Sequence, residues 1–348
     1  EAVELGFMCM YTPEEAGRMG LSRLDGALVF EELAAGCTST AAFMTIHNMA
    51  LWMIAVFGNE ETKARFVPSL LHGETLASYC LTEPGAGSDA AALRTTATID
   101  GDGYVLSGQK VFISGAGDTD VLVLMARVAD ADGPRPGAGG ISAFVVPADT
   151  PGISYGREEE KMGWNGQPTR AISFAGARIP ATHRLGAEGE GFRIAMQGLD
   201  GGRINIATTA VGTAQAALDA TARHVQEREA FGGPIAQFQN TQFEIADMAT
   251  ELVAARQMVR LAAARLDARH PEATVYCAMA KRFATDVAFE VCNRALQLHG
   301  GYGYIREYPL ERHVRDVRVH QILEGTNEIM RVIVSRRVMM EGATEVIR

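Results

Sequence analysis

The chain has 348 residues, of which 47% are hydrophobic and 21% charged, a balance that supports a large buried core and excludes disordered and fibrous architectures. Its 32 basic and 42 acidic residues leave a net charge of −10, which opposes non-specific attraction to nucleic acid or anionic membrane, so a phosphate-bearing ligand needs local basic residues. The length exceeds what one hydrophobic core usually serves and predicts at least two packing units.

Three zones follow one another, and the fold class they predict is α+β. Residues 1–78 form an N-terminal helical domain, in which "DGALVFEELA" and "HNMALWMIAVFG" carry apolar residues at helical spacing and end at Gly36 and Gly58. Residues 79–186 form a middle antiparallel β-domain of short β-rich runs, "YVLSGQKVFIS", "VLVLMARV", "ISAFVV" and "RAISFA", separated by Gly, Pro and Asp clusters. Within it, Ala129 to Gly140 carries no periodicity and reads as an exposed loop. Residues 187–348 form a C-terminal helical bundle of four helices. There, Ile245, Met248, Leu252, Ala255, Val259, Ala262 and Leu266 recur at steps of three and four; Pro271 opens a further helix with Phe283, Val287 and Val291 on one face, ended by Gly300 and Gly301.

The most apolar runs, Val121 to Val128 and Ile141 to Val146, are strand-sized, and no stretch is expected to approach the ~20 uncharged apolar residues of a membrane span. The protein is therefore expected to be soluble. Cys9, Cys37, Cys80, Cys277 and Cys292 include no CxxC pair and read as buried thiols of a reducing compartment. His183, His224, His299, His313 and His320 lack metal-ligand spacing, so no metal site is expected. The start at Glu1, without a basic-then-apolar leader, predicts no signal peptide and a native N-terminus that extends further.

Five segments carry candidate chemistry, each with an ordinary structural alternative. In "YCLTEPGAGSD", Gly85 to Ser88 let backbone approach a ligand, while Thr82 and Ser88 offer hydroxyls; a plain turn is the alternative, and Ala90 where a third glycine is needed rules out a Rossmann fingerprint. In "FISGAG", Phe112 and Ser114 fall on one strand face by the two-residue period, suiting a flat heteroaromatic ligand or an ordinary sheet edge. In "LDGGRINIA", Gly201 and Gly202 beside Asp200 and Arg203 read as a helix start that accepts an anion, or as one capped by Asp200. "REAFGGPIAQFQ" and "QLHGGYGY" supply glycines, amides and an arginine fit for a diphosphate groove. The Arg306, Arg312, Arg315 and Arg318 series is interleaved with Glu307, Glu311 and Asp316 and reads as a salt-bridged solvated face. In "HQILEGTNEIMR", desolvation beside Ile322 and Leu323 would raise the Glu324 carboxyl and make it a stronger base, able to take a proton α to a carbonyl; the alternative is a surface Glu before a helix capped by Thr326.

In this order, "LTEPGAGSD", "FISGAG", "KMGWNGQPT", "REAFGGPI", "QLHGGYGY" and "LEGTNEIMR" resemble the acyl-CoA dehydrogenase family over nearly the whole chain. The resemblance implies a non-covalent FAD, with Tyr79, Leu81, Thr82, Ser88, Phe112 and Ser114 along the flavin and Thr326 and Glu328 completing its site. It implies that Arg228, Phe231 and Gln239 of one subunit, with Gln297, Gly300 and Gly301 of its partner, hold the adenosine diphosphate part in a homotetramer, a dimer of dimers. Ser88, Asp200, Arg203, Gly325 and Arg336 match positions that contact acyl-CoA.

Glu324 matches the family's catalytic base; in the isovaleryl-type branch the base stands where this chain has Gly202, which has no side chain to act. The resemblance is nearest to the family branch for short branched chains, which implies isobutyryl-CoA converted to methacrylyl-CoA in valine degradation. Glu324 would take the α-proton while the β-hydrogen leaves as hydride to FAD, and electrons would pass to an electron-transfer flavoprotein. The implied location is the mitochondrial matrix in a eukaryote or the cytoplasm in a bacterium. Alternatives are an acyl-CoA oxidase or nitroalkane oxidase on the same scaffold, or a catalytically silent helical interaction protein.

Overall fold

The computed structural model describes residues 2–13 and 20–340. The chain divides into two compact units: Glu1–Leu21, Phe43–Glu160 and Gln167–Leu199 form the first, and Ser22–Ala42, Lys161–Gly166 and Asp200–Arg348 the second.

The N-terminal helices are α1 (Arg23–Gly36), α2 (Thr38–Phe57) and α3 (Glu60–Leu71). Ser22 and Asp25 cap α1 reciprocally, and Asn59 Oδ1 accepts the Thr62 amide at 2.8 Å to start α3. The expectation that no segment approaches span length is corrected by α2, which has 20 residues and no charged side chain. Most of its apolar window is nevertheless buried within the protein. Asn48 accepts the Met10 amide at 2.7 Å and donates to Phe7 O at 2.8 Å, while His47 bonds Leu70 O and Ala77 N. Such inward polar bonding is that of a core helix.

The β-region of the first unit contains β1 (Ala77–Cys80), β2 (Thr96–Asp100), β3 (Gly103–Ser114), β4 (Val121–Asp130), β5 (Gly133–Pro134), β6 (Ile141–Pro147), β7 (Ile153–Tyr155), β8 (Thr169–Pro180) and β9 (Arg184–Leu185). The order is β7-β8-β3-β2-β4-β6-β9, with β1 and β5 also paired to β4. The sheet is mixed rather than purely antiparallel, because β1 and β2 both run parallel to β4. Val121 to Ala126 of β4 are all buried, as a continuous apolar run in a strand covered on both faces should be. The stretch after it is a short hairpin rather than a plain loop: β5 pairs with Ala129 and Asp130, and Arg127 Nη1 donates to Gly137 O at 2.7 Å.

The second unit is built on α4 (Gly191–Glu227), which begins in the first, then the two-residue strands β10 (Glu229–Ala230) and β11 (Gly233–Pro234), α5 (Gln239–Asp267), α6 (Ala273–His299), the single turn α7 (Gly301–Tyr304), α8 (Leu310–Arg318) and α9 (Asn327–Val338). Its core joins Ile204 and Val211 of α4 to Met248, Leu252 and Val259 of α5 and Val287 and Val291 of α6. The α5 stripe expected from the three-four spacing is the buried one, with Ile245 and Leu266 at its partly covered ends. Cys9, Cys80, Cys277 and Cys292 are buried, but Cys37 is exposed, because it follows the end of α1 instead of lying on a core face.

Candidate active site

The segment between α8 and α9 brings Glu324 into the interior of the second unit. Thr326 caps α9 by accepting the Ile329 amide at 3.3 Å, so the preceding residues must turn sharply. Glu324 has φ +56° and Gly325 φ +87°, a left-handed pair that is easy for glycine and costs a glutamate of order 1–2 kcal/mol. Strain of this kind persists where surrounding contacts over-determine it. Glu324 is half-buried, yet its Oε2 is shielded from solvent and has no hydrogen-bond partner among the described residues. Burial pushes the carboxyl up to about 7, against the pull of Arg203 and Lys281 in the other direction. It is not the surface Glu of the ordinary reading.

The "LDGG" segment is not a helix start. Residues 200–203 lie inside α4, which begins at Gly191, so neither the anion-binding N-terminus nor the Asp200 cap exists. The glycines serve close approach instead. A Cβ on Gly201 would stand 2.7 Å from the Arg23 guanidinium, and one on Gly202 would overlap the Glu324 carboxylate. One turn of helix therefore presents three things to the Glu324 turn: the bare backbone of Gly202, the buried Arg203 and its partner Asp200. Arg203 Nη1 donates to Asp200 Oδ1 at 2.7 Å, and Arg203 Nε approaches Glu324 O at 3.4 Å. Burial raises the Asp200 carboxyl, opposed by Arg203 and by Thr274, whose hydroxyl donates to Asp200 Oδ2 at 2.6 Å.

Two further groups of this neighbourhood were not singled out by sequence reasoning. Lys281 of α6 is fully buried and donates to Gly325 O and Asn327 Oδ1, both at 2.8 Å. Trp164, at φ +54°, donates its amide to Asp316 Oδ1 at 2.7 Å and its indole N–H to His320 Nε2 at 3.2 Å. An accepting Nε2 leaves Nδ1–H to donate to Ile206 O at 3.2 Å, so His320 is a neutral imidazole of fixed tautomer, and burial holds its pKa down to about 3. The signal for Trp164 was present in "KMGWNGQPT"; that for Lys281 was only a lysine within an alanine-rich buried face.

In the first unit, Tyr79 is half-buried in β1, Leu81 is buried, Thr82 is half-buried and Ser88 is exposed. Behind this loop lies a buried ion pair. Lys110 Nζ donates to Leu81 O at 2.9 Å and Glu83 Oε1 at 2.8 Å, while the Glu83 carboxylate accepts the Arg94 and Thr95 amides at 2.6 and 2.9 Å. The two-residue alternation that aligned Phe112 with Ser114 is broken by a bulge between Lys110 and Ile113; Phe112 takes φ +58° and is 68% exposed.

Arg228, Gln297, Gly300 and Gly301 line one cleft of about 520 Å³. The Arg228 guanidinium sits 5.5 Å over the Tyr302 ring, and His224 stacks on His299 at 4.1 Å. Phe231 stands outside the cleft lining, 95% exposed between β10 and β11, and Gln239 is exposed at the first residue of α5. Arg336 is exposed near the end of α9, about 14 Å along the helix from Asn327, and Glu328 is exposed at its start.

The second unit thus holds a desolvated carboxylate, Glu324, at a left-handed turn. The chain belongs to the acyl-CoA dehydrogenase family: models of its N-terminal, middle and C-terminal domains match residues 1–74, 78–177 and 189–339. The family's members are FAD flavoproteins, and the chain is an oxidoreductase of this kind. It is 53% identical over 336 residues to the mitochondrial isobutyryl-CoA dehydrogenase of Dictyostelium discoideum, covering 97% of this chain and 80% of that one. It is 51% identical over 341 residues to the same enzyme of Bos taurus, covering 98% and 81%. Among solved structures, butyryl-CoA dehydrogenase of Megasphaera elsdenii superposes with a TM-score of 0.92 at 38% identity, over 97% of this chain and 88% of that chain.

Proposed function

We propose that this acyl-CoA dehydrogenase oxidises isobutyryl-CoA, a short α-branched thioester, to methacrylyl-CoA in valine degradation, with Glu324 as the base. The observation that carries the reading is the shielded Oε2 of Glu324, without a hydrogen-bond partner among the described residues, facing a glycine that leaves it room. A thioester α-proton is too weakly acidic for a carboxylate in water, so the enolate-like oxygen needs a preorganised donor. The Glu324 amide N–H makes no hydrogen bond among the described residues and is available for that role. Exclusion of water raises the carboxylate's basicity, while Arg203 steadies the Glu324 carbonyl and Asp200 steadies Arg203. Ser88, Gly325 and Arg336 are the further substrate contacts in this reading, Arg336 toward the distal end of the CoA.

The residues present fit FAD. Gly300 and Gly301 leave open space where a Cβ would stand, in a cleft that also holds Arg228, so a diphosphate can approach both backbone and guanidinium. Arg228, Phe231, Gln239, Gln297, Gly300 and Gly301 would hold the adenosine diphosphate part. Tyr79, Leu81, Thr82, Ser88, Phe112, Ser114, Thr326 and Glu328 would serve the flavin. When bound, FAD supplies the acceptor for the β-hydrogen and its two electrons.

An electron-transfer flavoprotein is the proposed acceptor of those electrons, and a homotetramer the proposed assembly. The mitochondrial matrix is the proposed location in a eukaryote, and the cytoplasm in a bacterium. The identity to two isobutyryl-CoA dehydrogenases supports the choice of acyl chain. The test is anaerobic mixing of the yellow protein with isobutyryl-, butyryl-, isovaleryl- and octanoyl-CoA, followed by air. Fastest bleaching by isobutyryl-CoA and slow reoxidation are expected. Preference for octanoyl-CoA would defeat the branched-chain assignment, and rapid reoxidation with peroxide release would make the enzyme an oxidase.

A further inference from the structure

Lys281 has no part in the chemistry above, yet it is a fully buried lysine in the interior of α6, a placement that is unfavourable unless the ammonium is well partnered. Its partners all belong to the Glu324 segment. Nζ donates to Gly325 O, the carbonyl directly after the proposed base, and to Asn327 Oδ1, both at 2.8 Å. Asn327 Nδ2 continues the network to Thr285 Oγ1 at 2.9 Å and Asp286 Oδ1 at 2.7 Å. Asp286 Oδ1 also accepts Gln321 Nε2 at 2.8 Å. Residues three before and three after Glu324 are thus tied to little more than one turn of α6. A left-handed glutamate needs such a clamp, because nothing intrinsic to the residue favours that conformation.

The charge has an address as well. The charged groups facing Lys281 are the carboxylates of Glu324, Asp286 and Glu328, with Arg203 as the one cation among them, and the neutral imidazole of His320 faces it too. The groups facing the Glu324 carboxyl are Arg203 and Lys281. Arg203 already has a carboxylate partner, Asp200, at 2.7 Å. No ion pair binds Lys281 among the described residues, so its charge is the less compensated of the two.

We infer that Lys281 is a positioning residue for the reaction: its ammonium clamps the carbonyl of Gly325 to hold the Glu324 turn, and its positive charge keeps the Glu324 carboxylate available at neutral pH. The inference rests on Glu324 being the base. Burial pushes the Glu324 carboxyl up to about 7 against the pull of Arg203 and Lys281, and pulls the Lys281 ammonium down to about 7 against the pull of Glu324, Asp286 and Glu328.

The test uses the FAD-loaded enzyme and Lys281→Met, which keeps most of the apolar stem and removes the charge. Anaerobic bleaching by isobutyryl-CoA is followed against pH. The acid limb is expected to move up by about one unit and the limiting rate to fall about tenfold or more. In flavin-free protein, the infrared band of the protonated Glu324 carboxyl, identified by its loss in Glu324→Gln, should persist to higher pH by the same shift.

Asn327→Ala removes an acceptor but leaves the ammonium, so the rate should fall about tenfold while the acid limb moves by no more than a few tenths of a unit; this variant decides the matter if Lys281→Met does not fold. A wild-type rate in Asn327→Ala, or an unmoved acid limb in Lys281→Met, would overturn the inference. Full bleaching of Glu324→Gln would instead remove the base itself, an outcome separate from wild-type behaviour of Lys281→Met beside an inert Glu324→Gln.

Discussion

The α-carbon of Gly202 in α4 faces the carboxylate of Glu324 so closely that a Cβ there would overlap Oε2 and lie 2.8 Å from Cδ. Two positions 122 residues apart in sequence thus address one point in space, and only one of them can carry a side chain. Gly202→Ala is expected to displace the carboxylate and slow flavin reduction by about a hundredfold, the usual consequence of misplacing a reacting group by about 1 Å. Gly202→Glu combined with Glu324→Gly should recover part of the lost rate, because the carboxylate then enters the same space from the other side. Rapid-mixing measurements of bleaching read both, and wild-type speed in Gly202→Ala would show that the two residues do not compete for space.

The pH dependence of bleaching follows from the same carboxyl. Burial holds Glu324 up to about 7, so the fraction present as carboxylate falls as pH drops through that value. The rate should fall close to tenfold per unit below about pH 7 and level off above it. A profile flat from pH 5 to 8 would place the essential base elsewhere.

Much of this was legible in the sequence. The glycines after α2 and α6 and the three-four stripe of α5 mark elements whose local propensity and tertiary packing agree. For Glu324 the segment "ILEGT" left a desolvated base and a surface residue before a capped helix both open, and the family resemblance, not the local pattern, favoured the base. The failures share a cause: long-range contacts override local signals. Paired glycines at 201 and 202 read as a helix start, but in α4 they are paid for by close approach to Arg23 and Glu324. The bulge at Phe112 and the buried partners of Lys281 depend on segments remote in sequence, and no periodicity announces them.

The Glu83–Lys110 pair is expected to govern the stability of the loop that carries Leu81, Thr82 and Ser88. Lys110→Met leaves a buried carboxylate with two backbone donors and should destabilise the protein by about 3 kcal/mol, read as the shift in denaturant midpoint. Burial would raise the Glu83 carboxyl, but the Lys110 charge and its hydrogen bonds outweigh that and hold it below the ordinary range. A lowered carboxyl contributes stability above its unfolded pKa and loses it as pH falls through the folded value. The gap between wild type and Lys110→Met should therefore narrow as pH falls through the lowered Glu83 value. A gap unchanged to pH 3 would show that packing of the lysine stem, not charge, is what the variant removes.

Arg228 is expected to hold FAD. Arg228→Ala should weaken FAD binding about ten- to a hundredfold, the range for one charge-assisted contact, with little change in thermal stability of the flavin-free protein, since the side chain is exposed. Fluorescence titration of the apoprotein with FAD measures this, and unchanged affinity would remove Arg228 from the cofactor site.

The most direct test of the central claim is anaerobic titration of FAD-loaded Glu324→Gln with isobutyryl-CoA, monitored by flavin absorbance. The amide keeps the size of the side chain and cannot take a proton, so an unaltered oxidised flavin spectrum with almost no bleaching is expected. Complete bleaching at a rate near that of the wild type would contradict the claim that Glu324 removes the α-proton.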